Sequence, residues 1–138
     1  MRKMCAVLLL AIVLAFPLGC GHPTTMTSMT INPTTAGVVG TGGGGQIQFK
    51  AYGNFINPTG TREITTQVTW QSLVPEVATV DQKGLATSGT VCGVAGLVAT
   101  AHTPLIGPGA SNSVVTGTAS FIVADPNNKG CPQTIPGD

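Results

Sequence analysis

The residue types that most often carry catalysis are scarce in this chain. The sequence contains the residue types of a hydrolytic triad in Ser111 or Ser113, His102 and Asp125. In many hydrolases that use such a triad, the nucleophilic serine lies on a Gly-x-Ser-x-Gly turn between a strand and a helix. The sequence contains no such turn. We therefore predict that the protein is not an enzyme and has no catalytic residues.

The sequence also offers few residues in the spacings that bind a metal ion or a phosphate. The two histidines, His22 and His102, are far apart, which excludes the short His–His spacings of zinc sites. The acids that could pair for hydrolysis or ligate calcium fall in separate segments: Glu63, Glu76, Asp81 and Asp125. The glycine run 40–45 leads into Gln46 and not into the Gly-Lys-Ser/Thr of a phosphate loop, so we expect a strand connector. The sequence predicts no metal and no cofactor.

Composition narrows the class of protein further. The chain has 138 residues, a net charge of +1 and only 8% charged residues. Nucleic-acid-binding domains concentrate Lys and Arg on one face, and this chain lacks the cations to do so. The apolar share of 42% argues against a charged, disordered chain, whereas 19 glycines and 10 prolines divide it into short segments. One domain without a nucleic-acid partner is expected.

Alternating apolar and polar residues indicate the elements that would position any site. The alternation places Phe49, Trp70 and Phe121 on the apolar faces of three separate strands. Turn residues recur between such segments, and no amphipathic helix is evident. The pattern predicts an all-β, two-sheet antiparallel sandwich of about seven to nine short strands. Phe49, Trp70 and Phe121 are its predicted core anchors.

The first twenty residues have the pattern of an export signal. Arg2 and Lys3 precede an unbroken apolar run at residues 5–16. This run has the length of a signal-peptide core and is too short to span a bilayer. It leads into Pro-Leu-Gly-Cys at 17–20, which resembles the lipobox of bacterial lipoproteins, although Pro17 stands where that family prefers Leu, Val or Ile.

The lipobox resemblance implies a signal peptide at 1–19, lipidation of Cys20 and attachment to the membrane through that lipid. Gly21 after the cysteine resembles the pattern that is sorted to the outer membrane in Gram-negative bacteria. The alternative is an ordinary secretory signal in which Cys20 is incidental. Four cationic and five acidic side chains follow residue 19, so the exported chain has too few charges for electrostatic steering.

Two cysteines remain once the signal and Cys20 are set aside. An exported protein meets an oxidising compartment, in which paired cysteines form disulfides. A bond between Cys92 and Cys131 would close a loop of about 40 residues and would stabilise the fold by roughly 4 kcal/mol on the chain-entropy model. We therefore expect this disulfide, with two free thiols as the alternative.

Three stretches resemble the group 2 bacterial immunoglobulin-like domain. They are the strand that ends in Phe49-Lys50-Ala51, the run 68–81 with Trp70-Gln71-Ser72 and Val77-Ala78-Thr79-Val80, and Gly84-Leu85-Ala86-Thr87 with the glycine-containing segment 93–101. The resemblance covers residues 30–124 and implies an immunoglobulin-like antiparallel β-sandwich used for recognition or spacing at the cell surface. It leaves residues 20–29 as a flexible tether and 125–138 as a C-terminal tail.

We thus expect a non-enzymatic, lipid-anchored cell-envelope protein for adhesion, surface interaction or envelope structure. The candidate binding loop is 102–113, where Leu105 and Ile106 would either meet a protein or glycan or fold back onto the sandwich. Exposed edge strands are a further candidate contact. The alternative function is an accessory docking lipoprotein that binds a carbohydrate or a secreted enzyme, for which the aromatic share of 4% supplies few stacking platforms.

Overall fold

In the computed structural model, which describes residues 24–102, 106–107 and 114–137, every regular element is a β-strand. The ten strands are β1 (Thr25–Asn32), β2 (Thr35–Val39), β3 (Gln46–Gln48), β4 (Lys50–Ile56), β5 (Gly60–Glu63), β6 (Thr69–Ser72), β7 (Ala78–Val80), β8 (Leu85–Ser88), β9 (Gly93–Ala101) and β10 (Val115–Ala124). The predicted all-β fold is confirmed, with ten strands where about seven to nine were expected.

The strands form two layers, as in an immunoglobulin-like sandwich. One layer is a four-stranded sheet with the order β2-β10-β9-β6. The other contains two three-stranded sheets, β1-β4-β5 and β3-β8-β7. These two sheets are joined because β3 and β4 are separated by Phe49 alone, whose N–H donates to the carbonyl of Gly84 at 2.9 Å. All pairings are antiparallel except the parallel pair β2–β10.

The core lies between the layers and is built from the inward residues of nearly every strand. Phe49, Leu97, Phe121 and Val123 are its largest fully buried side chains. The rings of Phe49 and Phe121 meet across it with centroids 6.2 Å apart. Along β9 and β10 the inward positions alternate with outward ones, which is the period that a strand imposes.

The first strand begins inside the segment that the sequence analysis assigned to a tether. β1 starts at Thr25, and Met26, Met29 and Ile31 are all buried. Met26 and Met29 are three residues apart, so a regular strand would place them on opposite faces. The β1–β4 register shifts between Met26 and Ser28, and such a bulge restores both methionines to the core side. Because of the bulge, this half of β1 lacks the regular alternation of apolar and polar residues by which a strand is predicted.

Two other strand boundaries also differ from expectation. The alternation of apolar and polar residues from Gln46 to Ala51 predicts one strand, but the structure divides it at Phe49 into β3 and β4, and β4 continues to Ile56. The turn residues Asn57, Pro58 and Gly60 predict a loop over 54–60, whereas β4 pairs with β5 there as a hairpin with a tight turn. The sequence predicts two strands at 90–94 and 97–102, whereas the structure has one continuous strand, β9, that runs through Gly96.

The register defines two ends of the sandwich. The N-terminal end holds Thr24, the β4–β5 turn and Gly107: the Thr24 hydroxyl donates to the carbonyl of Asn57 at 2.9 Å. A Cβ on Gly107 would lie 2.9 Å from Thr25 Oγ1. The opposite end, called the disulfide end below, is where β2 and β10 finish together at Val39 and Ala124 and where β9 begins.

Candidate interaction surface

The residues considered for catalysis do not assemble into a site. His102 is exposed after β9, whereas Asp125 follows β10 at the disulfide end and accepts a hydrogen bond from the Asn127 N–H. Ser111 and Ser113 lie outside the described residues, as does Cys20. Within the described ranges, no group of three or more His, Cys, Asp or Glu side chains could hold a metal ion.

The candidate binding loop is only partly described, and Ile106 does not fit the role of an exposed contact. Its side chain is 5% exposed and belongs to the hydrophobic core. The reading in which the loop's apolar residues fold back onto the sandwich therefore holds for Ile106, since burial removes its side chain from water and from any partner. Leu105 lies outside the described residues.

The aromatic side chains of the described residues are buried, except that of Tyr52. Trp70 is 4% exposed, and its Nε1–H donates to the carbonyl of Thr65 at 2.8 Å. Phe49, Phe55 and Phe121 are buried with it, and Tyr52 is half-buried. The indole thus serves the core, as its place on an apolar strand face predicts. Among the described residues, no exposed aromatic ring offers a stacking platform for a sugar.

The strongest polar cluster surrounds the β4–β5 hairpin. Lys50 Nζ pairs with Glu63 Oε2 at 3.2 Å on the exposed surface. The hydrogen bond from Lys50 holds the pKa of Glu63 below its usual range, with a smaller contribution from the Thr65 hydroxyl, and the same bond raises the pKa of Lys50. This is an exposed pair, which contributes little to stability and is not organised around a ligand.

A small open pocket lies beside this cluster, lined by Phe55, Arg62, Glu63, Ile64 and Gln67. Its volume is about 100 Å³, well below the roughly 300–1,000 Å³ of small-molecule sites. The Arg62 guanidinium lies 3.9 Å from the centroid of the Phe55 ring, a cation–π contact. Every buried side-chain nitrogen or oxygen in the described part of the chain has a hydrogen-bond partner.

A disulfide joins Cys92, just before β9, to Cys131 in the C-terminal segment. It brings residues 131–137 back to the four-stranded sheet, where the Asp125 N–H donates to the carbonyl of Pro132 at 3.0 Å. A Cβ on Gly37 would lie 2.8 Å from Ile135 Cγ2, so the segment packs on the outer face of β2. The tail expected at 125–138 is therefore a docked element over its described residues.

Exposed apolar side chains are concentrated at the disulfide end. Four of them form what we call the apolar patch: Leu73, Val74, Val91 and Val94, with exposed fractions of 62%, 36%, 49% and 52%. Val39, 58% exposed, belongs to the same end. The other exposed large hydrophobic side chains of the described residues are Ile56 and Val114. Clustered exposure of this kind marks interaction surfaces more often than scattered single residues do.

The strand ends hold the patch together. The Leu73 N–H donates to the carbonyl of Gly96 at 2.8 Å, so Leu73 continues β6 alongside β9. Leu73 Cδ1 would be 3.0 Å from a Cβ on Gly96, which places the leucine over the outer face of β9. Val94 precedes Gly96 by two residues and therefore points to the same face.

The segment after Pro75 connects Val91 to Val74 by main-chain hydrogen bonds. The Val77 N–H donates to the carbonyl of Val74 at 3.1 Å, and the Val91 N–H donates to the carbonyl of Glu76 at 3.2 Å. The disulfide at Cys92 fixes the chain immediately after Val91.

The sequence-based predictions do not include this patch, although two signals for it are present in the sequence. Leu73 breaks the alternation in which Val68 and Trp70 face inward, so an apolar residue there must face outward. In β9, Val94 and Val98 are apolar at positions opposite in parity to the buried Ala95 and Leu97. A strand with apolar residues on both faces must either be covered twice or expose one face.

Comparison with protein-family models and with curated proteins finds no match to this chain. The resemblance to group 2 bacterial immunoglobulin-like domains consequently stays a prediction, whereas the sandwich itself follows from the strand order and register. In the described residues, no helix is long and apolar enough to cross a membrane.

Proposed function

We propose that the protein is a non-enzymatic, lipid-anchored module of the cell envelope that presents the disulfide end of an immunoglobulin-like sandwich to a protein partner. The lipid would be carried by Cys20, the residue that matches the lipobox pattern. The module would serve surface interaction, with adhesion or envelope assembly as the biological setting.

The observation that carries the proposal is the apolar patch. Leu73, Val91 and Val94 are each about half exposed or more, and they are held by main-chain hydrogen bonds and a disulfide rather than by a free loop. A pre-organised apolar surface loses little conformational entropy on binding. An apolar contact also suits a chain with few charges, because it needs no electrostatic complementarity.

Binding of a carbohydrate, which is the alternative that the sequence left open, has less support from the exposed side chains. Sugar rings are commonly held by exposed aromatic faces, and Trp70 with the described phenylalanines lies in the core. A secreted enzyme would be one kind of protein partner for the patch, so docking of an enzyme is contained in the proposal.

The anchor is tested by labelling cells with a palmitate analogue. The wild-type chain should incorporate the label, and the Cys20→Ala variant should not, because no other cysteine follows a signal-like apolar run. Equal incorporation by the two chains would contradict the anchor at Cys20.

The interaction surface is tested by placing a photo-crosslinking amino acid at Leu73, at Val94 and at Thr79, an exposed residue of β7 in the other layer. Illumination of intact cells should give the same protein adduct from Leu73 and Val94 and none from Thr79. An adduct from all three positions would indicate random collision, and an adduct confined to Thr79 would place the partner on the other layer.

A further inference from the structure

We infer that the N-terminal end of the sandwich lies against the bilayer that holds the lipid anchor, and that the apolar patch points away from it. This inference rests on the proposed anchor at Cys20. It adds an orientation, and therefore states from which side a partner reaches the protein.

The first step is that the chain between the proposed anchor at Cys20 and the first described residue of the fold is short. Thr24 is four residues after Cys20, and a fully extended chain spans at most about 3.6 Å per residue. The Cα atoms of Cys20 and Thr24 are therefore separated by no more than about 14 Å. Had residues 20–29 all been a tether, as the sequence suggested, this limit would have been more than twice as large.

The second step is that Thr24 cannot move independently of the sandwich. Its hydroxyl donates to the carbonyl of Asn57, Thr25 pairs with Ile56, and the Met26 side chain is 2% exposed in the core. Pulling Thr24 away would strip β1 from β4 and expose Met26. A short tether that holds Thr24 near the membrane therefore restrains the orientation of the whole domain.

The third step is the character of the surface that would meet the lipid headgroups. Among the described residues, this end includes Thr24, residues 54–60, His102, 106–107 and Val114, and none of these is acidic. The cationic Arg62 lies beside it, with its guanidinium 3.9 Å from the centroid of the Phe55 ring. Ile56 and Val114 are exposed there, by 42% and 53%. A surface without acidic side chains meets no repulsion from anionic headgroups, and its apolar area favours the interface.

The last step is the length of the sandwich. β10 begins beside the second half of β1, where Gly117 faces Met29 and Ile31, and finishes at the disulfide end. From the first to the last of its 10 residues it rises about 30 Å. The apolar patch lies at the finishing end and so stands well clear of the bilayer. The two ends can therefore be distinguished by their distance from lipid.

The experiment uses the full lipidated chain in liposomes with a nitroxide on the lipid headgroup. One exposed turn threonine is replaced at each end, Thr59→Cys at the N-terminal end and Thr41→Cys at the disulfide end, and each is labelled with a fluorescent maleimide. The acylated Cys20 and the bonded Cys92 and Cys131 should not react, and labelling of the unsubstituted chain checks this.

We expect the nitroxide to quench the label at position 59 several-fold more strongly than the label at position 41. Insertion of a flexible Gly/Ser spacer between His22 and Pro23 should reduce the difference, since the reach of the tether then exceeds the size of the domain. Co-flotation of the chain with liposomes, lost in Cys20→Ala, reports separately on the anchor.

Each outcome bears on one part of the inference. Flotation with equal quenching at the two positions, or with stronger quenching at 41, would overturn the orientation and leave the anchor standing. Failure to float would overturn the anchor, and the orientation with it. A spacer variant that keeps the full difference would show that the contact of the N-terminal end with lipid, rather than the short tether, sets the orientation.

Discussion

At the scale of single residues, Thr65 is the polar centre of the fold. Its hydroxyl accepts a hydrogen bond from the Ala51 N–H at 3.1 Å, and its carbonyl accepts one from the Trp70 indole at 2.8 Å. Thr65 is 6% exposed and Ala51 is fully buried. The residue therefore satisfies a main-chain donor and the indole donor inside a core that contains little other polar material.

Thr65→Val should lower the free energy of unfolding by about 1–3 kcal/mol, because it leaves the buried Ala51 N–H without an acceptor while conserving volume. Thr65→Ser is the matched control: it keeps the hydroxyl and loses one methyl group, with a cost of about 1 kcal/mol. Urea unfolding followed by Trp70 fluorescence measures both. A larger loss in the serine variant would mean that packing, not the hydrogen bond, gives Thr65 its importance.

The sequence predicted some of these residues and missed others for a physical reason. Phe49, Trp70 and Phe121 could be placed because each lies in a strand whose parity is readable from its neighbours. Thr65 could not, since a buried threonine in a turn has no periodic signal and its partners are main-chain groups distant in sequence. For Ile106 the sequence left two outcomes open, an exposed contact or a return to the sandwich, because the loop's path back to the core is set by tertiary packing.

At the scale of elements, the alternation of apolar and polar residues predicted which side chains face the core. It did not predict where a strand begins, ends or is interrupted. Alternation predicted the all-β sandwich, but the bulge in β1 and the interruption at Phe49 change the phase or the length of a strand without changing the residue types. The C-terminal segment lacks alternation altogether. The bond between Cys92 and Cys131, which the cysteine count suggested, joins the start of this segment to the residue before β9.

The double variant Cys92→Ser with Cys131→Ser should lose about 2–4 kcal/mol of stability, because the unfolded chain regains the freedom of the closed loop. It should also raise hydrogen exchange in residues 131–137, which include Ile135 against Gly37. Reduced wild-type protein provides the control and should coincide with the double variant in both measurements. Equal stability of the oxidised and reduced wild-type chains would contradict the contribution of the bond to stability. Unchanged hydrogen exchange in residues 131–137 would show that the segment docks without the bond.

At the scale of the whole molecule, the two ends differ in what they expose. The disulfide end carries the apolar patch and the docked C-terminal segment, while the N-terminal end carries the chain that leads to Cys20. Charges are sparse on both, so neither end is defined by its sign. The sequence could predict an anchor and a sandwich separately, but only the register of β1 with β4 shows at which end of the sandwich the chain from the proposed anchor at Cys20 enters.

The exposure of the patch itself can be tested without knowledge of a partner. Replacement of Leu73 and Val94 by threonine should change the free energy of unfolding by no more than about 0.5 kcal/mol per site, because both side chains are mostly in water already. The same variant should bind less of an apolar fluorescent dye. The matched control is Val123→Thr in the core, which should cost about 1–3 kcal/mol because it buries a hydroxyl among apolar side chains. Destabilisation of the patch variant to the level of the core variant would mean that Leu73 and Val94 are covered in the folded protein. They would then be unavailable to a partner, and the interaction surface would have to be sought on the edge strands.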